Sequence, residues 1–392
     1  MKKLVDIIIL LVIIFNIIEN NVLSLKFNKN NLILSRKRRA ALDHTIGRFD
    51  EIPIKYKVNK NVNESLIDKA VKSFQKESCL IFEKDNLLNG SGIEFVFSND
   101  TYYADVVGKV STVIPLQIGI PKKPTKVGCV IHKMLHALGL LHEQQRKDRD
   151  QYVTIFYNKI NKERLHNFKM GNFIEQETYG IKYDYGSILH YSRFNGHISG
   201  KKNKFTMKAK NKHYTMSIGQ NRYFSFLDTK LLNKRYCKDK CKNEEKITCY
   251  HGGYPNPNNC KICKCPTFYK PPFCKFVKKS PQKCGNKINL ASKNYQTLKM
   301  KGIIDCYYIL RAEENQKVEI IIKKAKSLLT QVCEPGSGLN IKFLKNKALS
   351  PACFCGRTTN YTIISEGREV VLRYAGKSNT DFFELQFKSV KN

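Results

Sequence analysis

The feature that most constrains this chain is the run His132-Lys133-Met134-Leu135-His136-Ala137-Leu138-Gly139-Leu140-Leu141-His142. Side chains four apart on an α-helix share a face, so His132 and His136 can place two imidazoles on one ion. Gly139 permits positive φ, and a sharp exit of the backbone there carries His142 back toward the same point. Three imidazoles leave one coordination position open to water, which is the arrangement of a catalytic rather than a structural zinc site. The alternative, three surface histidines that never meet, fits this spacing poorly with the glycine in place. The helix predicted to carry the pair spans about 127–141.

The chain continues Glu143-Gln144-Gln145-Arg146-Lys147-Asp148-Arg149-Asp150-Gln151-Tyr152-Val153, and later reads Tyr183-Asp184-Tyr185-Gly186-Ser187-Ile188-Leu189-His190-Tyr191. Ile218-Gly219-Gln220, Ser225, Asp228 and the closing Tyr236-Cys237 follow. Over residues 40–238 these segments resemble the extended signature and Met-turn of the astacin zinc metalloendopeptidases, a family of metzincins. The resemblance implies a two-lobed catalytic domain with one zinc ion held by His132, His136 and His142, and no other cofactor. It implies that Tyr191 is the switchable phenol that ligates zinc and then stabilises the oxyanion. It also implies that Glu143 meets the α-ammonium of Ala40 once a pro-segment is removed, and that a Cys79–Cys237 bridge ties the two lobes.

Two positions depart from the family pattern. Leu189 stands where the turn has methionine; that swap conserves volume in a hydrophobic floor and costs little. Lys133 stands where the family has the glutamate that acts as general base. Lysine is cationic at neutral pH unless its pKa falls by several units. At about 5 Å from a dication, with an effective dielectric of about 20, the repulsion is of order several kcal/mol. Loss of a general base costs roughly 10²–10⁴ in rate. The expectation is therefore a zinc-binding homologue with proteolysis lost or very slow, acting by binding extracellular protein. An active endopeptidase in which Lys133 is compensated is the alternative, and a purely structural surface protein is a third reading.

The ends of the chain indicate an extracellular setting. Lys2 and Lys3 precede an apolar run from Ile7 to Phe15, too short for a comfortable membrane span and laid out as a signal peptide over residues 1–24. Residues 25–39 read as a short pro-segment ending in Arg36-Lys37-Arg38-Arg39, a convertase site that would leave Ala40 first. Sequons at Asn63, Asn89, Asn99 and Asn360 are expected on surface loops. Of 14 cysteines, twelve crowd between Cys237 and Cys355, which calls for an oxidising compartment and small stapled modules.

Residues 239–275, with Cys241, Cys249, Cys260, Cys263, Cys265 and Cys274, resemble an EGF-like module. That resemblance implies the pairs Cys241–Cys260, Cys249–Cys263 and Cys265–Cys274; a zinc knuckle through Cys260, Cys263 and Cys265 is the rival. Residues 284–388 resemble a CUB domain, an all-β sandwich with Cys284–Cys306 as its first bridge. Cys333 could pair with Cys353 or Cys355, and Cys129 is either a free thiol or the partner of the cysteine left over. The fold class expected is α+β: a two-lobed astacin-like domain, a disulfide-rich module and a β-sandwich. Strands are predicted at 52–58, 93–97 and within 106–118, and a helix over 63–82.

The formal charge of +36 raises the question of nucleic acid, but the lysines are scattered along the whole chain, which favours a solvated basic surface over a specific polyanion site. Extracellular proteins are the expected partners and a monomer the expected state, with no membrane span once the signal peptide is gone.

Overall fold

The computed structural model describes residues 47–99, 101–122, 126–170, 177–198 and 205–391. The expected signal peptide, the pro-segment and Ala40 lie outside the described residues. The first lobe is a mixed sheet in the order β2-β1-β3-β5-β4, formed by β1 (Ile54–Val58), β2 (Phe82–Lys84), β3 (Ile93–Ser98), β4 (Tyr103–Ala104) and β5 (Leu116–Pro121). Only β4 runs antiparallel to its neighbour. Helices α1 (Glu64–Glu77) and α2 (Val127–Ala137) share one core with this sheet.

Helix α1 begins where Asn63 Oδ1 accepts the Leu66 N–H at 3.2 Å, and it buries Leu66, Ile67, Ala70, Val71 and Phe74 on one face. It ends at Glu77, not at residue 82. Ser78 turns its N–H and its hydroxyl onto the Phe74 carbonyl (2.8 and 2.7 Å), and Cys79 is fixed by its disulfide to Cys237. Ser78 itself is extended (φ −141°, ψ 175°) and the bridge to Cys237 anchors the next residue, so the helix stops there and Phe82 then opens β2. The strand expected within 106–118 is also shorter. Ser111 Oγ accepts the amides of Val113 and Ile114, forming a turn whose apolar side chains are exposed, and only the stretch from Leu116 pairs with β3.

The second lobe is mostly irregular, with the small pair β6 (Val153–Ile155) and β7 (Met207–Ala209) and helix α3 (Phe226–Tyr236). Ser225 and Asp228 form a capping box at the start of α3. Next come the hairpin β8 (Tyr254–Asn256) and β9 (Asn259–Lys264), stapled by Cys241–Cys260, Cys249–Cys263 and Cys265–Cys274.

The C-terminal region is a CUB-like sandwich. One sheet is β10 (Ile288–Leu290), β12 (Asp305–Arg311), β17 (Glu369–Ala375), β14 (Gly338–Lys342) and β15 (Ala352–Phe354), in that order. The other is β11 (Gln296–Lys301), β18 (Phe382–Lys391), β13 (Gln316–Lys326) and β16 (Arg357–Ile364). Alternating residues such as Val318, Ile320 and Ile322 face the core between the sheets. Cys284–Cys306 and Cys333–Cys355 are bonded, leaving Cys353 buried and unbonded. Cys129 is also a free thiol, so its pairing with the left-over cysteine does not occur. Among the described residues no helix is long and apolar enough to cross a membrane.

Candidate metal centre

Helix α2 is regular to Ala137, short of the predicted 127–141. It closes through Leu138 N–H to Met134 C=O and Gly139 N–H to His136 C=O, both 2.9 Å. Gly139 has φ of 86°, and a Cβ there would stand 2.8 Å from Arg235 Nη2 and 3.2 Å from the Gly47 carbonyl. Glycine is thus required both for conformation and for space. The backbone then runs back along the helix, which is why three histidines spread over eleven residues converge.

Their Nε2 atoms lie 3.0 Å (His132 to His136), 3.2 Å (His132 to His142) and 3.2 Å (His136 to His142) apart. Each opposite ring nitrogen faces an oxygen: His132 Nδ1 the Ile188 carbonyl at 2.7 Å, His136 Nδ1 the Leu140 carbonyl at 2.8 Å, and His142 Nδ1 the Gln145 Oε1 at 3.1 Å. A carbonyl oxygen only accepts, so Nδ1 carries the proton in all three rings and every Nε2 presents a lone pair. Three lone pairs that meet with no donor between them are complementary to a cation, and neutral imidazoles fixed by such outer hydrogen bonds are what zinc takes. Burial lowers the pKa of all three histidines, His132 to about 3, which keeps them in this ligating form. The donor set therefore fits the ion, and these three form the metal-competent cluster found among the described residues.

The Met-turn region lies directly beneath. Leu189 is 2% exposed and packs in the same core as Leu135. The turn is pinned by the Asp228 carboxylate, which accepts Ser187 Oγ–H at 2.6 Å and Ile188 N–H at 2.8 Å while also accepting the Ser225 N–H at 2.8 Å. Since the Ile188 carbonyl holds His132, Asp228 orients a candidate metal ligand through the backbone of one residue. Tyr191 sets its ring 4.3 Å from that of His142, and its N–H donates to Gln144 Oε1 at 3.0 Å. Burial pushes the Tyr191 phenol up to about 12, so it is a proton donor at neutral pH. The orienting parts played by Gln144, Gln145 and Asp228 were not read from the sequence. The only sequence signals were the capping-box spacing at Asp228 and the polar residue one turn after His142.

Lys133 follows the first histidine and is partly buried, with no hydrogen bond or ion pair to any described residue. Its positive charge adds to the lowering of the pKa at all three imidazoles. Burial in turn lowers the pKa of Lys133 itself, opposed weakly by Cys129 one turn earlier.

Glu143 is 8% exposed. Its Oε1 accepts from Asp184 N–H at 2.8 Å and Arg146 Nη1 at 3.2 Å. Burial still raises its pKa to about 8, more than Arg146 can offset. A pocket opens beside it, lined by Gly139, Glu143, Arg146, Tyr179, Leu231 and Arg235, among others.

Residues 42–237 match the peptidase family described as astacin. Among curated proteins, the chain is 36% identical over 273 residues to the zinc metalloproteinase nas-23 of Caenorhabditis elegans, covering 67% of this chain and 50% of the relative. It is 33% identical over 356 residues to the zinc metalloproteinase nas-36 of Brugia malayi, covering 87% of this chain and 59% of that one. The chain thus spans between half and three-fifths of the length of these relatives. Among solved structures, the hatching enzyme zinc-protease HCE-1 of the medaka Oryzias latipes aligns with a TM-score of 0.45 at 23% identity, over 51% of this chain and 98% of that one. The chain belongs to the astacin family of zinc metalloproteinases.

Proposed function

We propose that this chain is a secreted astacin-like protein that keeps its zinc site but has lost, or nearly lost, proteolysis, and that it acts by binding extracellular protein. One juxtaposition carries the reading: a partly buried lysine without an anionic partner among the described residues stands beside three converging imidazoles. Bound zinc would supply Lewis acidity to a scissile carbonyl and to water. His132, His136 and His142 would hold it, and the protonated Tyr191 beside His142 would offer a hydrogen bond to developing negative charge. Among the described residues no carboxylate joins the three-histidine group to take a proton from a water there. Lys133, in its ordinary ammonium form, has no lone pair to do so. One observation favours the alternative of an active peptidase: burial lowers the Lys133 pKa, which shifts the amine toward its neutral form relative to a solvated lysine.

Secretion is supported by the expected signal peptide and by six disulfides. Cleavage after Arg39 would free Ala40, and its ammonium suits the pocket beside Glu143, whose buried carboxylate is incompletely neutralised by Arg146.

The deciding experiment is elemental analysis of the mature protein together with a peptidase assay on denatured protein substrates. About one equivalent of zinc with negligible hydrolysis is expected. Robust hydrolysis that disappears in Lys133→Ala would establish the lysine as the base, and absence of metal would refute the zinc reading.

A further inference from the structure

Ser350 lies on the loop between β14 and β15, and all of its hydrogen-bonding groups cross to the peptidase domain. Its N–H and hydroxyl donate to Asp184 Oδ1 at 3.1 Å and Oδ2 at 3.0 Å, and its carbonyl accepts from the Tyr214 hydroxyl at 3.0 Å. Asp184 is 2% exposed. Among the described residues its carboxylate has one other partner, the N–H of Gly186 at 3.2 Å. The approach is so close that a Cβ at Gly186 would lie 2.4 Å from that of Ser350. The N–H of Asp184 then donates to Glu143 Oε1 at 2.8 Å, and Glu143 follows the metal ligand His142.

The rest of the seam is equally specific. Cys353 N–H donates to Ser217 Oγ at 2.9 Å and Cys333 N–H to the Met216 carbonyl at 2.7 Å. A single apolar cluster runs through Tyr183, Tyr185 and Tyr214 on one side and Leu339, Ile341 and Phe343 on the other. The loop is braced from within by two buried lysines. Lys342 Nζ donates to the carbonyls of Lys347 (2.7 Å) and Leu349, and Lys347 Nζ to those of Leu344 (2.6 Å) and Glu369 (2.7 Å). A buried ammonium is tolerated only when its donors are satisfied, so this carbonyl cage holds the loop in one conformation and presents Ser350 to Asp184.

We infer that the CUB-like sandwich is a fixed component of the second lobe rather than a tethered recruiting module, with Ser350 as a positioning residue. It fixes Asp184 and, through the Asp184 amide, orients the Glu143 carboxylate behind His142.

The test uses the full mature chain with Ser350→Ala or, as control, Ser365→Ala. Ser365 is 2% exposed, and its hydroxyl bonds Val318 N–H and the Gly367 carbonyl inside the sandwich, so the control loses two hydroxyl bonds, against one in Ser350→Ala, without touching Asp184. Amide hydrogen exchange is followed on zinc-free protein. Exchange at Asp184 and across 183–187 should accelerate about tenfold more in Ser350→Ala than in the control. Equal exchange at Asp184 in the two variants overturns the inference. Should Ser350→Ala fail to fold, Tyr214→Phe, which removes only the bond to the Ser350 carbonyl, takes its place, with the same direction required. Zinc titration adds a readout that rests on the metal-binding reading above: Ser350→Ala should bind about threefold to tenfold more weakly. A wild-type chain that takes up no zinc refutes that reading and leaves the exchange comparison to decide this one.

Discussion

At the scale of single residues, the proposed function turns on Lys133 and Gly139. Lys133→Glu replaces a cation by a carboxylate beside three neutral imidazoles, supplying a base and reversing the local charge. Peptidase activity should rise by at least ~10²-fold, the low end of what a positioned base contributes, and zinc affinity should rise with it. A kcat/KM unchanged by the substitution would mean that the cleft is impaired elsewhere. Gly139→Ala meets both a left-handed backbone and the Arg235 guanidinium. It should weaken zinc binding at least about tenfold and cost about 1–3 kcal/mol of stability, and calorimetric titration with parallel urea unfolding would show this. The histidines and the glycine were legible because their chemistry is encoded in spacing along one helix and one turn. Gln144, whose side chain holds the Tyr191 amide across 47 positions, was not legible. A cross-chain hydrogen bond leaves no local pattern.

At the scale of elements, α3 and the Met-turn act as one unit through Asp228. This carboxylate closes the capping box of α3 and holds the Ser187–Ile188 turn, so Asp228→Ala strands three donors at once. A loss of about 3 kcal/mol in urea unfolding of the zinc-free protein is expected, along with weaker zinc binding because the Ile188 carbonyl orients His132. Unchanged zinc affinity would show that the turn holds its place without the cap. The lengths of the elements were the least legible part of the sequence. The apolar spacing of α1 was plain, but its end depended on Ser78 capping the Phe74 carbonyl and on a disulfide to a residue 158 positions away.

At the scale of the whole molecule, the buried lysines at the seam tie stability to pH. Burial lowers Lys342 to about 7 and Lys347 to about 8, both from 10.5. A lysine whose pKa is lower folded than unfolded binds fewer protons in the native state between those two values. Stability should therefore rise with pH from about 7 toward 10, by at most about 1.4 kcal/mol per pH unit for each lysine. Lys342→Met should flatten that slope in chemical denaturation followed from pH 6.5 to 9. A slope the same as wild type would show that Lys342 keeps its proton in the fold. N-terminal sequencing of the secreted protein tests maturation at the same scale: it should begin at Ala40, and residues 25–39 still attached would refute the proposed cleavage.

The sequence by itself determined the chemistry that depends on short-range order. It set the three-histidine run with Lys133 beside its first member, the cysteine-dense module and the alternating strands of a terminal sandwich, because helix, strand and turn periodicities project neighbouring residues onto common faces. Only the tertiary structure decided which of Cys353 and Cys355 joins Cys333, and that Cys129 stays free. It alone set Ser350 against Asp184, residues 166 apart. The two cysteines are two positions apart and equivalent in pattern, and nothing in its own segment singles out the serine. Their partners are fixed only when sheets and lobes pack, since distance in space between remote segments is a property of the folded core and not of any local run of residues.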